Sequence, residues 1–137
     1  MQCANDPWLK IEESVLMSAN NNILLVANYE SDVGYAWWLM EGFWAAIANH
    51  YAQRGRRSIL VYPKLNAIPE VIKNSEIEVR EIDFEKHRSK IEELVSGQGI
   101  GSIYLTDLAY HNSYYRRLRR CGIRKIVLHD HTPGERL

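Results

Sequence analysis

The sequence predicts an α/β fold built as a doubly wound parallel sheet, and three observations predict it. Short apolar runs recur along the chain at Ile23 to Ala27, Ser58 to Tyr62, Ser102 to Leu105 and Ile126 to Leu128. The first is an unbroken apolar run between turn formers, as in a strand covered on both faces, which points to a parallel sheet. Segments long enough for helices separate the runs, with glycine or proline at the joins.

The elements follow in order. Asp6 and Pro7 read as an N-cap and first helical residue, with Trp8, Ile11, Val15 and Leu16 at helical spacing behind them. Asn20, Asn21 and Asn22 break that segment, so residues 1–21 are expected to be an appended arm or short helix, and Met17 sits where a compact domain can begin. Residues 22–137 are expected to form the domain. Strand Ile23 to Ala27 leads into a loop, Asn28 to Gly34, rich in Asn, Ser, Asp and Gly, and then into a helix from Tyr35 to Gln53 that Gly55 ends. Pro63 stops the second strand, and Pro69 to Lys73 fits a short helix. Ile77, Val79 and Ile82 alternate with charged residues as in a strand nearer the sheet edge, and Lys86 to Val95 is amphipathic. Gly97, Gly99 and Gly101 read as a turn before the strand Ser102 to Leu105, because they follow a helix where a phosphate loop follows a strand. A helix from about Asn112 to Cys121 ends at Gly122, ahead of the last strand.

At 137 residues the chain has the size of one domain, and 46% hydrophobic content suits a globular core. Lys plus Arg and Asp plus Glu number 17 each, so no whole-chain field recruits nucleic acid or an anionic membrane. Two cysteines, Cys3 and Cys121, suggest no disulfide framework, and with no basic-then-apolar leader this favours a reducing cytoplasm. The apolar stretch Tyr35 to Ala48 is interrupted by Glu41 and is shorter than the ~18–20 residues that span a bilayer. Trp37, Trp38, Phe43 and Trp44 crowd its first turns. Either the helix is wholly buried, or some of these aromatics meet a second domain, a sugar, a lipid-linked substrate or another copy of the chain.

Loops at the carboxyl ends of parallel strands make the ligand crevice in such folds, and a helix starting there offers free N–H groups to an anion. Gly34 is therefore either a tight-turn residue or a point of close phosphate approach; the dinucleotide fingerprint of three spaced glycines is absent. The densest polar chemistry closes the chain, at His129, Asp130, His131 and Thr132. In extended backbone His129 and His131 share one face and Asp130 takes the other. Two histidines can begin a metal site, but nothing supplies the third and fourth ligands, so no metal is expected. His131 is left as a turn-fixing hydrogen-bonding residue or a partner for a sugar hydroxyl. No serine sits in a glycine-flanked elbow and neither cysteine has a histidine motif, which argues against nucleophilic hydrolysis. Arg116, Arg117, Arg119 and Arg120 with Tyr114 and Tyr115 read as a solvated helix face around Leu118 rather than a nucleic-acid surface. Asp107, just after its strand, is a helix cap or a group that polarises a substrate hydroxyl.

From about Asn22 onward the chain resembles the N-terminal Rossmann-like domain of the two-domain glycosyltransferases of the GT-B fold, especially the family 4 retaining enzymes. The likeness is carried by the strand into Val33 and Gly34, the helix ending at Arg54 and Gly55, the strand into Tyr62 and Pro63, and the late strand running into His131 and Thr132. Two features depart from it: Val33 and Gly34 stand where the family usually has paired glycines, and the run from Gly34 to Gly55 is about one helical turn longer. The resemblance implies that His131 lies at the sugar-transfer site, with Gly34, Asp32, Tyr35, Asp130 and Thr132 as substrate-binding positions. It also implies a nucleotide-sugar donor, held mainly by a second Rossmann domain for which nothing in this sequence stands, and a glycan or lipid-linked acceptor. No other cofactor is implied. With half a cleft the chain alone is expected to be nearly inactive. It would be a shortened gene product, or one half of a split enzyme like the two-subunit N-acetylglucosaminyltransferase of the dolichol pathway, working in the cytoplasm or peripherally at the inner membrane.

A reading from another class is a non-catalytic binding or scaffold subunit that uses the aromatic helix as its interface. A receiver-type domain would need an acidic pocket after the first strand, which Glu30 and Asp32 mimic weakly, and a lysine loop that is not evident.

Overall fold

In the computed structural model the described residues are 20–33, 38–108 and 113–130. Five strands and four helices alternate through them: β1 Asn22–Val26, α1 Trp38–Ala52, β2 Ser58–Tyr62, α2 Glu70–Lys73, β3 Ile77–Glu81, α3 Arg88–Gly97, β4 Ile100–Thr106, α4 Tyr114–Arg120 and β5 Lys125–His129. The strands form one sheet in the order β3-β2-β1-β4-β5, with every neighbouring pair parallel. The expected α/β sheet is therefore present, Rossmann-like in strand order and wound outward in both directions from β1.

Alternation along the strands explains the two layers of helices, because successive side chains leave opposite faces. Leu24 and Val26 of β1 join Ile59 and Val61 of β2 in a cluster with Ile91, Leu94 and Val95 of α3 and Leu118 of α4. Ile23 and Leu25, with Leu60 and Tyr62, pack instead on Met40 and Trp44 of α1 and Ile72 of α2. Helices cover both faces, which is why β1 and β2 need apolar residues at consecutive positions. The edge strand β3 is only partly buried and carries the expected charges; Arg57 reaches across to it, pairing with Glu78 at 2.6 Å.

The aromatic helix is not buried all round. Met40, Trp44 and Ala48 lie four apart and face the sheet, and Trp44 is fully enclosed, whereas Trp38 and Phe43 are 63% and 43% exposed. Trp37 lies outside the described residues. The arginines of α4 do fan around a buried Leu118.

Three local expectations need correction. Gly101 does not sit in a turn but inside β4, where the register against β1 jumps from Asn22 opposite Ile100 to Ile23 opposite Ser102. It is the extra residue, and a β-carbon there would stand 2.0 Å from the Asn20 carbonyl oxygen, so only glycine admits that backbone. Asp107 does not cap α4, which begins at Tyr114, and it has a φ of 52°, in the left-handed region. Cys121 is disulfide-bonded, against the expectation of no disulfide framework; Cys3, the other cysteine in the sequence, lies outside the described residues.

Candidate functional site

The winding reverses at β1. From β1 the chain proceeds through β2 to β3 on one side, then crosses to β4 and β5 on the other, so the connections leaving β1 and β4 diverge to opposite faces. A crevice must open between their carboxyl ends. A cavity of about 230 Å³ lies there, walled by Ala27 and Asn28 after β1, by Asp107 and Leu108 after β4, and by the turn 83–85 after β3.

Each wall has a local cause. The Asp83 carboxylate accepts the backbone N–H groups of Glu85 and Lys86, both at 3.0 Å, and this closed turn starts the approach to α3. Phe84, packed edge-on against Tyr114 at 5.7 Å, gives the crevice an apolar anchor. The backbone N–H of Asp107 donates to the His129 carbonyl at 2.8 Å, tying the end of β4 to β5. Asp is among the few residues that enter the left-handed region without large cost, and a non-glycine residue held there beside a ligand crevice is a common mark of function.

A second polar group lies at the same edge on the α1 face. The Tyr104 hydroxyl and His129 Nδ1 are 2.5 Å apart, and the imidazole lies 6.2 Å from the ring of Phe43. Burial raises the Tyr104 hydroxyl above its ordinary pKa, so it stays protonated at neutral pH and can donate to Nδ1. Which of the two groups donates follows the tautomer of the imidazole. Among the described residues no group of three or more His, Cys, Asp or Glu side chains could hold a metal.

Of the sequence-predicted site residues, Asp32 is exposed in the loop after β1, and Asp130 is half-buried directly after β5. The two follow strands that end at one edge of the sheet, but β4 lies between those strands. Asp32 lines a cavity toward the β2 side, with residues 67–70, so the structure does not bring it together with Asp130. Gly34, Tyr35, His131 and Thr132 lie outside the described residues. Sequence reasoning missed the Tyr104–His129 pair, because β4 reads as an apolar strand whichever face its tyrosine takes. It also passed over Glu41, whose position as the one acid in an apolar helix was the available signal.

No protein-family model, no curated protein and no solved structure matches the chain.

Proposed function

We propose that residues 22–137 are the acceptor-side half of a retaining glycosyltransferase that moves a sugar from a nucleotide-sugar donor to a glycan or lipid-linked acceptor. The observation that carries the reading is the crevice at the reversal of a β3-β2-β1-β4-β5 parallel sheet, the place where folds of this kind take ligands. The His131-Thr132 pair after β5 adds the resemblance to the family 4 enzymes. In this reading the acceptor enters the crevice at the carboxyl edge between the ends of β1 and β4, with β5 next to β4. The bond from the sugar's anomeric carbon to the nucleotide diphosphate breaks, a bond from that carbon to an acceptor oxygen forms, and the acceptor hydroxyl's proton passes to the departing diphosphate. His131 hydrogen-bonds a sugar hydroxyl more strongly as positive charge develops on the ring, and so acts in the transition state.

The donor is held by a second domain or subunit, so transfer requires that partner. A lipid-linked acceptor would put the enzyme at the cytoplasmic surface of the inner membrane as a peripheral protein; no helix among the described residues is long and apolar enough to cross a membrane. The experiment is to reconstitute the complete enzyme and compare it with His131→Ala. A fall in kcat of about tenfold to thousandfold, ~1.4–4 kcal/mol, with unchanged thermal stability is the expected result. Transfer at the parental rate by a folded variant would remove His131 from the mechanism.

One observation favours a second reading, a non-catalytic subunit with an aromatic interface: Trp38, Leu39 and Phe43 stand exposed together at the start of α1. A partner that buries these three without conferring any transfer activity would favour it.

A further inference from the structure

On the β2 side of β1, away from the crevice at the winding reversal, a cavity of about 340 Å³ opens at the carboxyl edge, within the range of ligand pockets. Its walls are Ser31 and Asp32 after β1, Ala67, Ile68 and Pro69 ahead of α2, Glu70 at the start of α2, and Glu41 from α1. Three of these are carboxylates. Acidity alone is not a site, but Glu41 is a different matter from Asp32 and Glu70, which stand at the surface. Its side chain is 6% exposed and makes no hydrogen bond or ion pair among the described residues. Its oxygens are not among the fully enclosed polar atoms, so in this cavity wall they meet solvent, where an ammonium could supply the donor that no protein group does.

Ser31 provides the second buried polar group. It is 2% exposed, and its Oγ accepts the Asn66 backbone N–H at 2.7 Å, which leaves the hydroxyl proton to donate. Glu70 has a cation beside it, Lys73 at 3.9 Å, but that pair lies in solvent. The cavity therefore offers a buried acceptor with charge, a buried hydroxyl and an apolar wall formed by Ala67, Ile68 and Pro69. Among the described residues no group of acids here meets the geometry of a metal site. We propose that this cavity binds a small amino-alcohol ligand, with its ammonium on Glu41 and Asp32, a hydroxyl on Ser31 and its carbon skeleton against Ile68 and Pro69. The site stands whether or not the chain takes part in sugar transfer.

Glucosamine, glucose and N-acetylglucosamine are the probes, because they share a ring and differ in the ammonium. Calorimetry at low salt is expected to give glucosamine about tenfold tighter binding than either neutral sugar, the worth of one charge-assisted hydrogen bond to a buried carboxylate. Glu41→Gln keeps the shape and removes the charge, so it should abolish the preference. Ala67→Lys, at an exposed position on the cavity wall, supplies a resident ammonium and should abolish it too without touching the core. Glucosamine that binds no better than glucose overturns the proposal, as does a preference that survives both substitutions in folded protein.

Discussion

Asp107 allows the backbone at the crevice to be tested without knowing the ligand. Its φ of 52° places an L-residue where the β-carbon crowds the following carbonyl, at a cost of roughly 1–2 kcal/mol for most residues and less for Asp. The comparison to make is Asp107→Ala against Asp107→Gly, because both lose the carboxylate and every contact it makes. Their difference isolates the backbone. Glycine gains ~1–2 kcal/mol in the folded state and gives back ~0.4–1 through the greater freedom of its unfolded chain. Asp107→Gly should therefore be more stable than Asp107→Ala by about 0.5–1 kcal/mol, or roughly 2–4 °C in melting temperature for a domain of this size. Thermal unfolding by circular dichroism reads it directly. If the alanine variant is equally or more stable, the end of β4 does not turn through the left-handed region, and the account of the crevice wall fails.

Gly101→Ala should destabilise by about 1–3 kcal/mol, since the new methyl meets backbone at Asn20 rather than a movable side chain; a neutral melting temperature would refute the close approach. Burial raises the Glu41 carboxyl above its ordinary pKa, so the folded protein holds that proton to higher pH than the unfolded chain does. Its stabilising contribution is thus complete below the unfolded value, near pH ~4.3, and is lost as pH rises through the folded one. Glu41→Gln should accordingly be more stable than the parent at neutral pH, with the gain shrinking toward pH ~4; a gain independent of pH would rule out ionisation as its cause. Replacing Trp38 and Phe43 together by serine should suppress self-association in light scattering and lower the melting temperature only slightly, because Trp38 stands largely in solvent and Phe43 is 43% exposed. By contrast Trp44→Ala, at a fully enclosed position, should cost ~3–5 kcal/mol by denaturant titration.

Strand content was legible because burial on both faces leaves a signature in consecutive residues. Leu24 and Leu25 of β1 face opposite helical layers, and both must be apolar. The doubly wound parallel sheet was legible as an implication of the α/β alternation, whereas the order β3-β2-β1-β4-β5 was not written in the strands themselves. The direction of each aromatic on α1 was not legible: with apolar residues nearly all round the helix, periodicity cannot distinguish Trp44, enclosed beneath Tyr29 and Tyr62, from Phe43 beside it in sequence. Gly101 misled for a related reason. A glycine marks either a turn or a close approach, and the distinction lies in a neighbour, Asn20, that is remote in sequence.

The polar groups at the carboxyl edge divide as the core does. Asp107 and Phe84 belong to the crevice toward α3, while Tyr104, His129 and Glu41 lie on the α1 face. Close to Glu41 the division exposes a mismatch. The Tyr62 hydroxyl senses the charge of Glu41, and burial together with that charge pushes its pKa well above the ordinary tyrosine range. Yet Tyr62 Oη and the Trp44 indole N–H are fully enclosed and find no acceptor among the described residues. Each unmade bond costs roughly 1–3 kcal/mol when buried. Of the three groups only Glu41 lines the adjoining cavity, so a ligand entering there would meet its carboxylate and neither of the two enclosed donors. Apolar packing explains why Trp44 and Tyr62 are buried, but it gives no reason to bury Glu41 with them; a ligand that supplies hydrogens to its carboxylate does.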